Sequence, residues 1–222
     1  MQLSSTTSGK AGSNPMGEGA PIVYVVDDDI SVREALEALI RESGWQPRVF
    51  GSAQEFLSHS RTATPSCLVL DVSLPDLNGL DLQQQLASTR NDMPIIFITG
   101  YGDVPMTVRA MKAGAIEFLT KPFGDEALLD TIRDAIQRST TALGQEAELQ
   151  LLQKRYASLS TREREVMALV VTGLMNKQVG GKLGISEITV KAHRGQVMRK
   201  MGATSLADLV NIAAKLGSSC GN

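Results

Sequence analysis

The sequence predicts a five-stranded, doubly wound parallel α/β sheet followed by a smaller all-helical domain. Three observations lead there. Short apolar runs alternate with helical segments over residues 21–125, as in a parallel sheet covered by helices. The last part of the chain reads helix, turn, helix, turn, helix. Charge is also divided: residues 159–222 carry nine Lys and Arg against four Asp and Glu, a net +5, while residues 1–158 carry 13 against 20, a net −7. An acidic front and a basic back point to two domains, the second facing nucleic acid.

Composition excludes other classes. Apolar residues make up 42% of the chain, enough for ordinary cores and too many for a disordered chain. No run of about 18 apolar residues occurs, so no membrane span is expected. The N-terminus lacks a basic start followed by an apolar core, so no signal peptide is expected and the protein is placed in the cytoplasm. Cys67 and Cys220 make neither a disulfide framework nor a metal motif, and both are expected to be reduced.

The elements follow in order. Residues 1–20 are rich in Ser, Thr and Gly and read as a disordered tail. Ile22–Val26 is a continuous apolar run, the mark of a strand buried on both faces. Leu36, Leu39 and Ile40 recur at helical spacing, and Gly44 stops that helix. Residues 48–50 form a short candidate strand. Residues 67–70 form the next, ending at Asp71. Pro75, Asn78 and Gly79 mark a loop. Residues 95–98 form a fourth strand, ending at Thr99. Residues 115–119 form a fifth, followed by Thr120, Lys121 and Pro122. Residues 126–157 read as a helical linker, either one long helix or two shorter ones, because Gly144 interrupts the pattern. In residues 158–222, Ser160 and Glu163 fit a capping box. Val166, Leu169 and Val170 give an apolar stripe, and Gly173 ends that helix. Asn176 is the expected cap of the next helix and Ser186 of the third.

The acidic residues sit where such a sheet binds ligands. Asp27 and Asp28 follow the first strand, Asp71 the third, Thr99 the fourth and Lys121 the fifth. Open α/β sheets bind ligands outside the carboxyl ends of their strands. Three carboxylates at one edge repel each other unless a cation neutralises them, and an all-oxygen set favours Mg²⁺. Lys121 offers a point charge to phosphoryl oxygens and Thr99 a hydroxyl donor. Each part alone has a plainer meaning, a solvated acidic loop or a helix cap. Their conjunction at successive strand ends is what is specific. Asp29 is assigned to solvent.

Here the wording of the chain resembles a known family. Val25-Val26-Asp27-Asp28-Asp29, Leu70-Asp71-Val72-Ser73-Leu74-Pro75, Ile98-Thr99-Gly100 and Lys121-Pro122-Phe123 are similar to the motifs of response-regulator receiver domains, the CheY-like fold, over residues 21–125. The stretch from Thr99 through Tyr101, Asp103 and Met106 resembles the FixJ subgroup. The resemblance implies Asp71 as phosphoacceptor and Asp27 and Asp28 as the acidic metal pair. It implies the Ser73 main-chain carbonyl as a further Mg²⁺ ligand, and Thr99 and Lys121 as the groups that sense the phosphoryl. Phe118 matches the switch aromatic, and the Lys121-Pro122 bond is expected to be cis.

The third C-terminal helix has two faces. With Lys191 at 0° and about 100° per residue, Ile188, Ala192, Gly195 and Arg199 fall between about 40° and 100°. Val190, Val197 and Met201 fall between about 240° and 280°. His193 and Arg194 flank the apolar side. A helix packed on one side and small or basic on the other suits a major groove. The stretches Leu159-Ser160-Thr161-Arg162-Glu163, Asn176-Lys177-Gln178 and Thr189-Val190-Lys191-Ala192-His193 resemble a LuxR-type helix-turn-helix domain. That resemblance places Lys191 and Ala192 near base edges, and Asn176, Lys177, Thr189, His193 and Arg194 nearer phosphates. Arg199 is a further candidate. It implies dimerisation through a last helix at about 205–216. Gly180-Gly181 departs from the family pattern, and two helical glycines cost roughly 2 kcal/mol relative to alanine. Gly195 also departs, at a position where a side chain could otherwise read a base.

Together these readings describe a regulator of the FixJ/NarL family. The expected partners are a sensor histidine kinase, promoter DNA, RNA polymerase, and a second copy on phosphorylation. No membrane partner is expected. The rival reading is a Mg²⁺-dependent phosphotransferase with an aspartyl nucleophile. Ser73 stands two residues after Asp71, where such an enzyme places a general acid, so no enzyme is expected.

Overall fold

A computed structural model describes residues 19–60, 62–87, 93–100 and 104–219. The tail before residue 19, the motif residues Tyr101, Gly102 and Asp103, and Cys220 lie outside them. The chain divides into two compact units, Met1–Thr140 and Thr141–Asn222.

The first unit is a parallel sheet of β1 (Ile22–Val26), β2 (Gln46–Phe50), β3 (Ser66–Asp71), β4 (Ile95–Thr99) and β5 (Glu117–Thr120), in the order β2-β1-β3-β4-β5. Its helices are α1 (Ile30–Glu42), α2 (Ala53–Ser58), α3 (Gly79–Ala87), α4 (Val104–Lys112) and the first part of α5 (Asp125–Ala157). Strand alternation divides the core. Ile22, Tyr24 and Val26 of β1 pack with Phe56 of α2 and Leu82 and Leu86 of α3. Val23 and Val25 pack on the other face with Ile40 of α1 and Leu128 and Ile132 of α5. Both faces of the sheet are therefore covered, which explains why the central strands are built on continuous apolar runs, with polar residues only at their ends. In the order 2-1-3-4-5 the direction in which successive strands are added reverses between β1 and β3, which opens a crevice at their carboxyl ends.

Two strands differ from expectation. β2 begins two residues earlier than the expected strand, at Gln46. It is an edge strand with alternating exposure, so its outer residues carry no apolar signal, and Pro47 is tolerated there. β5 begins at Glu117 rather than Ala115. Gly114 closes α4 with φ +92°, and the Ala115 amide still bonds back to Ala110, so the extended run starts later.

α5 is one continuous helix through Gly144, which resolves the linker reading in favour of a single helix. The Lys121-Pro122 peptide is cis, as expected.

In the second unit, α6 (Thr161–Val170), α7 (Asn176–Leu183), α8 (Glu187–Met201) and α9 (Leu206–Ser219) enclose a core of Leu159, Val166, Val170, Val179, Val190, Val197 and Met201. The Ser160–Glu163 capping box is present, and Ser186 caps α8 by accepting from Thr189 N. Asn176 does not cap α7. The cap position is Met175, whose amide donates to the Gln178 side chain at 2.9 Å. Asn176 is the first helical residue, and its Oδ1 instead accepts from Arg194 at 3.2 Å. Gly180 has a packing reason: a Cβ there would lie 2.7 Å from the Ile185 carbonyl oxygen. Gly181 has none, for nothing lies within 4 Å of its Cβ position. Among the described residues no helix is long and apolar enough to cross a membrane.

Candidate functional site

Four strand ends build the acidic site. Asp27 follows β1 and is wholly buried. Its Oδ1 accepts from the Asp29 amide at 2.9 Å, and its main-chain oxygen accepts from Arg33 Nη1 at 2.6 Å. Asp28 beside it is exposed. Asp71 ends β3, is 6% exposed, and accepts from the Ser73 amide at 2.9 Å. Carboxylate oxygens of Asp27, Asp28 and Asp71 lie within 4.8 Å of one another. Lys121, just past β5, donates to Asp27 Oδ2 at 2.7 Å and to Asp71 Oδ2 at 2.6 Å. The Lys121 amide donates to the Thr99 carbonyl at 2.7 Å, which sets the β5 end beside the buried Thr99. Phe118 packs partly buried against the core under α3 and α4, with its ring 6.1 Å from that of Phe97.

Electrostatics follow from burial. Desolvation raises the Asp27 carboxyl above its ordinary value, although Lys121 and the Asp29 amide pull it down. Burial works against the Lys121 ammonium, but its hydrogen bonds to Asp27 and Asp71 outweigh it and raise Lys121. Lys121 thus pairs with two of the three clustered carboxylates, and such an oxygen set fits a hard divalent ion.

Some contributors were not read from the sequence. Arg33 carries no motif signal, yet it anchors the Asp27 backbone. Gly79 looked like a turn residue. Its role is close approach: a Cβ would lie 2.6 Å from the Asp71 carbonyl oxygen. Asp29 is the N-cap of α1 and accepts from Ser31 at 2.8 Å.

The basic helix forms a second surface. Ile188, Lys191, Ala192, Gly195 and Arg199 are exposed, while Val190, Val197 and Met201 are buried. His193 and Arg194 are half-buried on the flank, as the helical wheel predicts. Lys177 is exposed on α7. Thr189 is tied into the Ser186 cap, with the two hydroxyls 2.8 Å apart.

Comparison with known proteins gives a match for each of the two domains. Residues 23–133 match the response regulator receiver domain, and residues 157–213 match the luxR family of bacterial regulatory proteins. The chain is 52% identical to nodulation protein W of Bradyrhizobium diazoefficiens, over 89% of this chain and 87% of that one. It is 43% identical to response regulator protein TodT of Pseudomonas putida, over 95% of this chain and 92% of that one. Among solved structures, response regulator StyR is similar with a TM-score of 0.80 and 48% identity, over 88% of this chain and 99% of that one. Full-length FixJ from B. japonicum is similar at 39% identity with a TM-score of 0.52, over 91% of this chain and 99% of that one. The chain belongs to the response regulators of two-component systems that join a receiver domain to a LuxR-type DNA-binding domain.

Proposed function

We propose that Asp71 is the phosphoacceptor of a switch that controls promoter binding by α8, and that the protein is a regulator, not an enzyme. The observation that carries this reading is the joining of Asp27 and Asp71 through one Lys121 ammonium beside Thr99. An Asp71 oxygen attacks the phosphorus of the donor, an O–P bond forms, and the donor's own bond to phosphorus breaks. The donor is a phosphohistidine of the partner kinase. Asp27, Asp28, Asp71 and the Ser73 carbonyl would hold Mg²⁺. The ion supplies neutralising charge for the phosphoryl oxygens. Lys121 leaves its carboxylate pair to contact the phosphoryl group, and the Thr99 hydroxyl donates to it.

A phosphoryl group acts by binding one conformation better than another. Thr99 and Lys121 are the groups in reach, and Phe118 is the packing element that follows Thr99. The surface affected runs from about Val104 to Ile136, where a second copy docks. Two joined DNA-binding domains then gain effective concentration on DNA. Lys191 and Ala192 read base edges. Asn176, Lys177, Thr189, His193 and Arg194 hold phosphates, and Arg199 extends the basic face. RNA polymerase is the further partner at the promoter.

Treatment of the full chain with acetyl phosphate should raise both dimer content and DNA affinity. Asp71→Asn should take up no phosphate and show neither change. Normal labelling of that variant overturns the assignment.

A further inference from the structure

The loop after β3 carries Asp71 at its start and Ser73 two residues on. Leu74 and Leu77 pack it against the core. Apolar contact of that kind is non-directional and sets depth rather than lateral position. Hydrogen bonds set the rest, and most of them are local. Ser73 N reaches Asp71 Oδ1 at 2.9 Å, Gly79 N reaches Val72 O at 3.0 Å, and Leu80 N reaches Asn78 Oδ1 at 2.9 Å.

Asp76 bonds outside the loop. Its carboxylate accepts from Ala53 N at 3.3 Å and from Gln54 N at 2.9 Å, the first two residues of α2. α2 follows β2, and β1 lies between β2 and β3. This link therefore spans the carboxyl end of β1, the strand that delivers Asp27 and Asp28. α2 has a cap of its own, because Ser52 accepts from Glu55 N at 3.2 Å. Asp76 adds a tie between the loop and the helix. Desolvation works against its ionisation, but hydrogen bonds from backbone amides, those of Gln54 and Ala53 foremost, together outweigh it and hold the carboxyl below its ordinary 3.8. It is therefore charged at neutral pH.

We propose that Asp76 is a positioning residue, which pins the loop after Asp71 to α2 and so fixes the Asp71 carboxylate and the Ser73 carbonyl toward a divalent cation. The inference rests on reading Asp27, Asp28 and Asp71 as the Mg²⁺ site. A tethered loop presents its oxygens already placed, whereas a free loop must be ordered when the ion binds. Asp76 is itself exposed, so its replacement leaves both cores intact.

The test is calorimetric Mg²⁺ affinity of the full chain, for wild type, Asp76→Ala, Asp76→Asn and Ser52→Ala. Asp76→Ala should bind roughly tenfold more weakly, the low end for partners behind a ligand shell. Asp76→Asn keeps an oxygen for the Gln54 amide and should recover part of that loss. Ser52→Ala weakens the same helix end without touching the loop, and should bind as wild type does. Asp76→Ala binding as tightly as wild type overturns the proposal. So does Ser52→Ala binding as weakly as Asp76→Ala, because the effect then belongs to α2. A wild-type chain that binds no Mg²⁺ overturns the metal reading itself, and this inference with it.

Discussion

The Lys121 ammonium and the Asp71 carboxylate form a 2.6 Å ion pair, and the same ammonium holds Asp27 at 2.7 Å. Lys121 is 23% exposed at its side chain, whereas Asp27 and Asp71 are 0% and 8% exposed. Removing the lysine leaves two buried carboxylates facing each other. Lys121→Ala should lose about 1–3 kcal/mol of receiver stability. Added Mg²⁺ should restore more stability in the variant than in wild type. The sole tryptophan, Trp45, packs against the core of this unit, so urea unfolding followed by its fluorescence measures both effects. Equal Mg²⁺ effects in the two proteins would argue that the ion and the lysine do not neutralise the same charges.

Asp28 and Asp29 are neighbours with separable roles. Asp28 offers an oxygen to the acidic cluster, while Asp29 caps α1. Asp28→Ala should weaken Mg²⁺ binding and slow phosphorylation with little loss of stability. Asp29→Ala should cost about 1 kcal/mol of stability, as loss of a helix cap does, with Mg²⁺ affinity kept. Calorimetry and urea titration on both variants check the pair, and reversed results would mean the wrong acids are assigned to the metal.

Glu163 gives the DNA-binding unit a pH dependence. Its Oε2 accepts from Lys200 Nζ at 2.6 Å and from Ser160 N at 2.7 Å. The Lys200 bond first, then the Ser160 amide, hold its carboxyl below the ordinary 4.5. A depressed carboxyl stabilises the fold above its unfolded pKa and loses that contribution as pH falls through the folded one. This unit should therefore lose stability as pH drops below 4.5. Glu163→Gln should be less stable at neutral pH and flatter in acid. Urea titrations at 222 nm, set against the Trp45 signal, separate the two units.

The paired glycines of α7 should respond in opposite directions. Gly181→Ala meets open space and should stabilise by about 1 kcal/mol, the difference in helix propensity. Gly180→Ala drives a methyl against the Ile185 carbonyl and should destabilise, loosening the turn into α8. Thermal melts of both variants decide it. Stabilisation by both would mean that the α7–α8 turn yields freely.

Lys191 should carry sequence discrimination, and Lys177 mainly affinity. Lys191 stands exposed in the first half of α8, where helix-turn-helix proteins reach base edges. Lys191→Ala should narrow the gap between promoter and scrambled duplex by roughly 1–3 kcal/mol. Lys177→Ala should weaken both and lower the salt slope by about one unit. Arg194→Ala should do likewise, and also frees Asn176. Salt titrations on the two duplexes measure all three, and an unchanged specificity ratio in Lys191→Ala would move that residue to the phosphate class.

Local sequence pattern by itself determined the buried strand segments, the strand ends that bear Asp27, Asp71 and Thr99, the Ser160 and Ser186 caps, and the two faces of α8. Each is set by backbone geometry within a few residues, so the order of side chains is enough. The edge strand β2 was only half legible, because solvent replaces the apolar pattern there. Packing decided what lies far apart in the chain. Lys121 meets Asp27 across 94 residues and Asp71 across 50. Asp76 reaches Gln54 across 22, and Arg155 reaches the Met201 carbonyl at the end of α8 across 46. Such bonds depend on where whole elements come to rest against a shared core, and that is fixed by the sum of many apolar contacts.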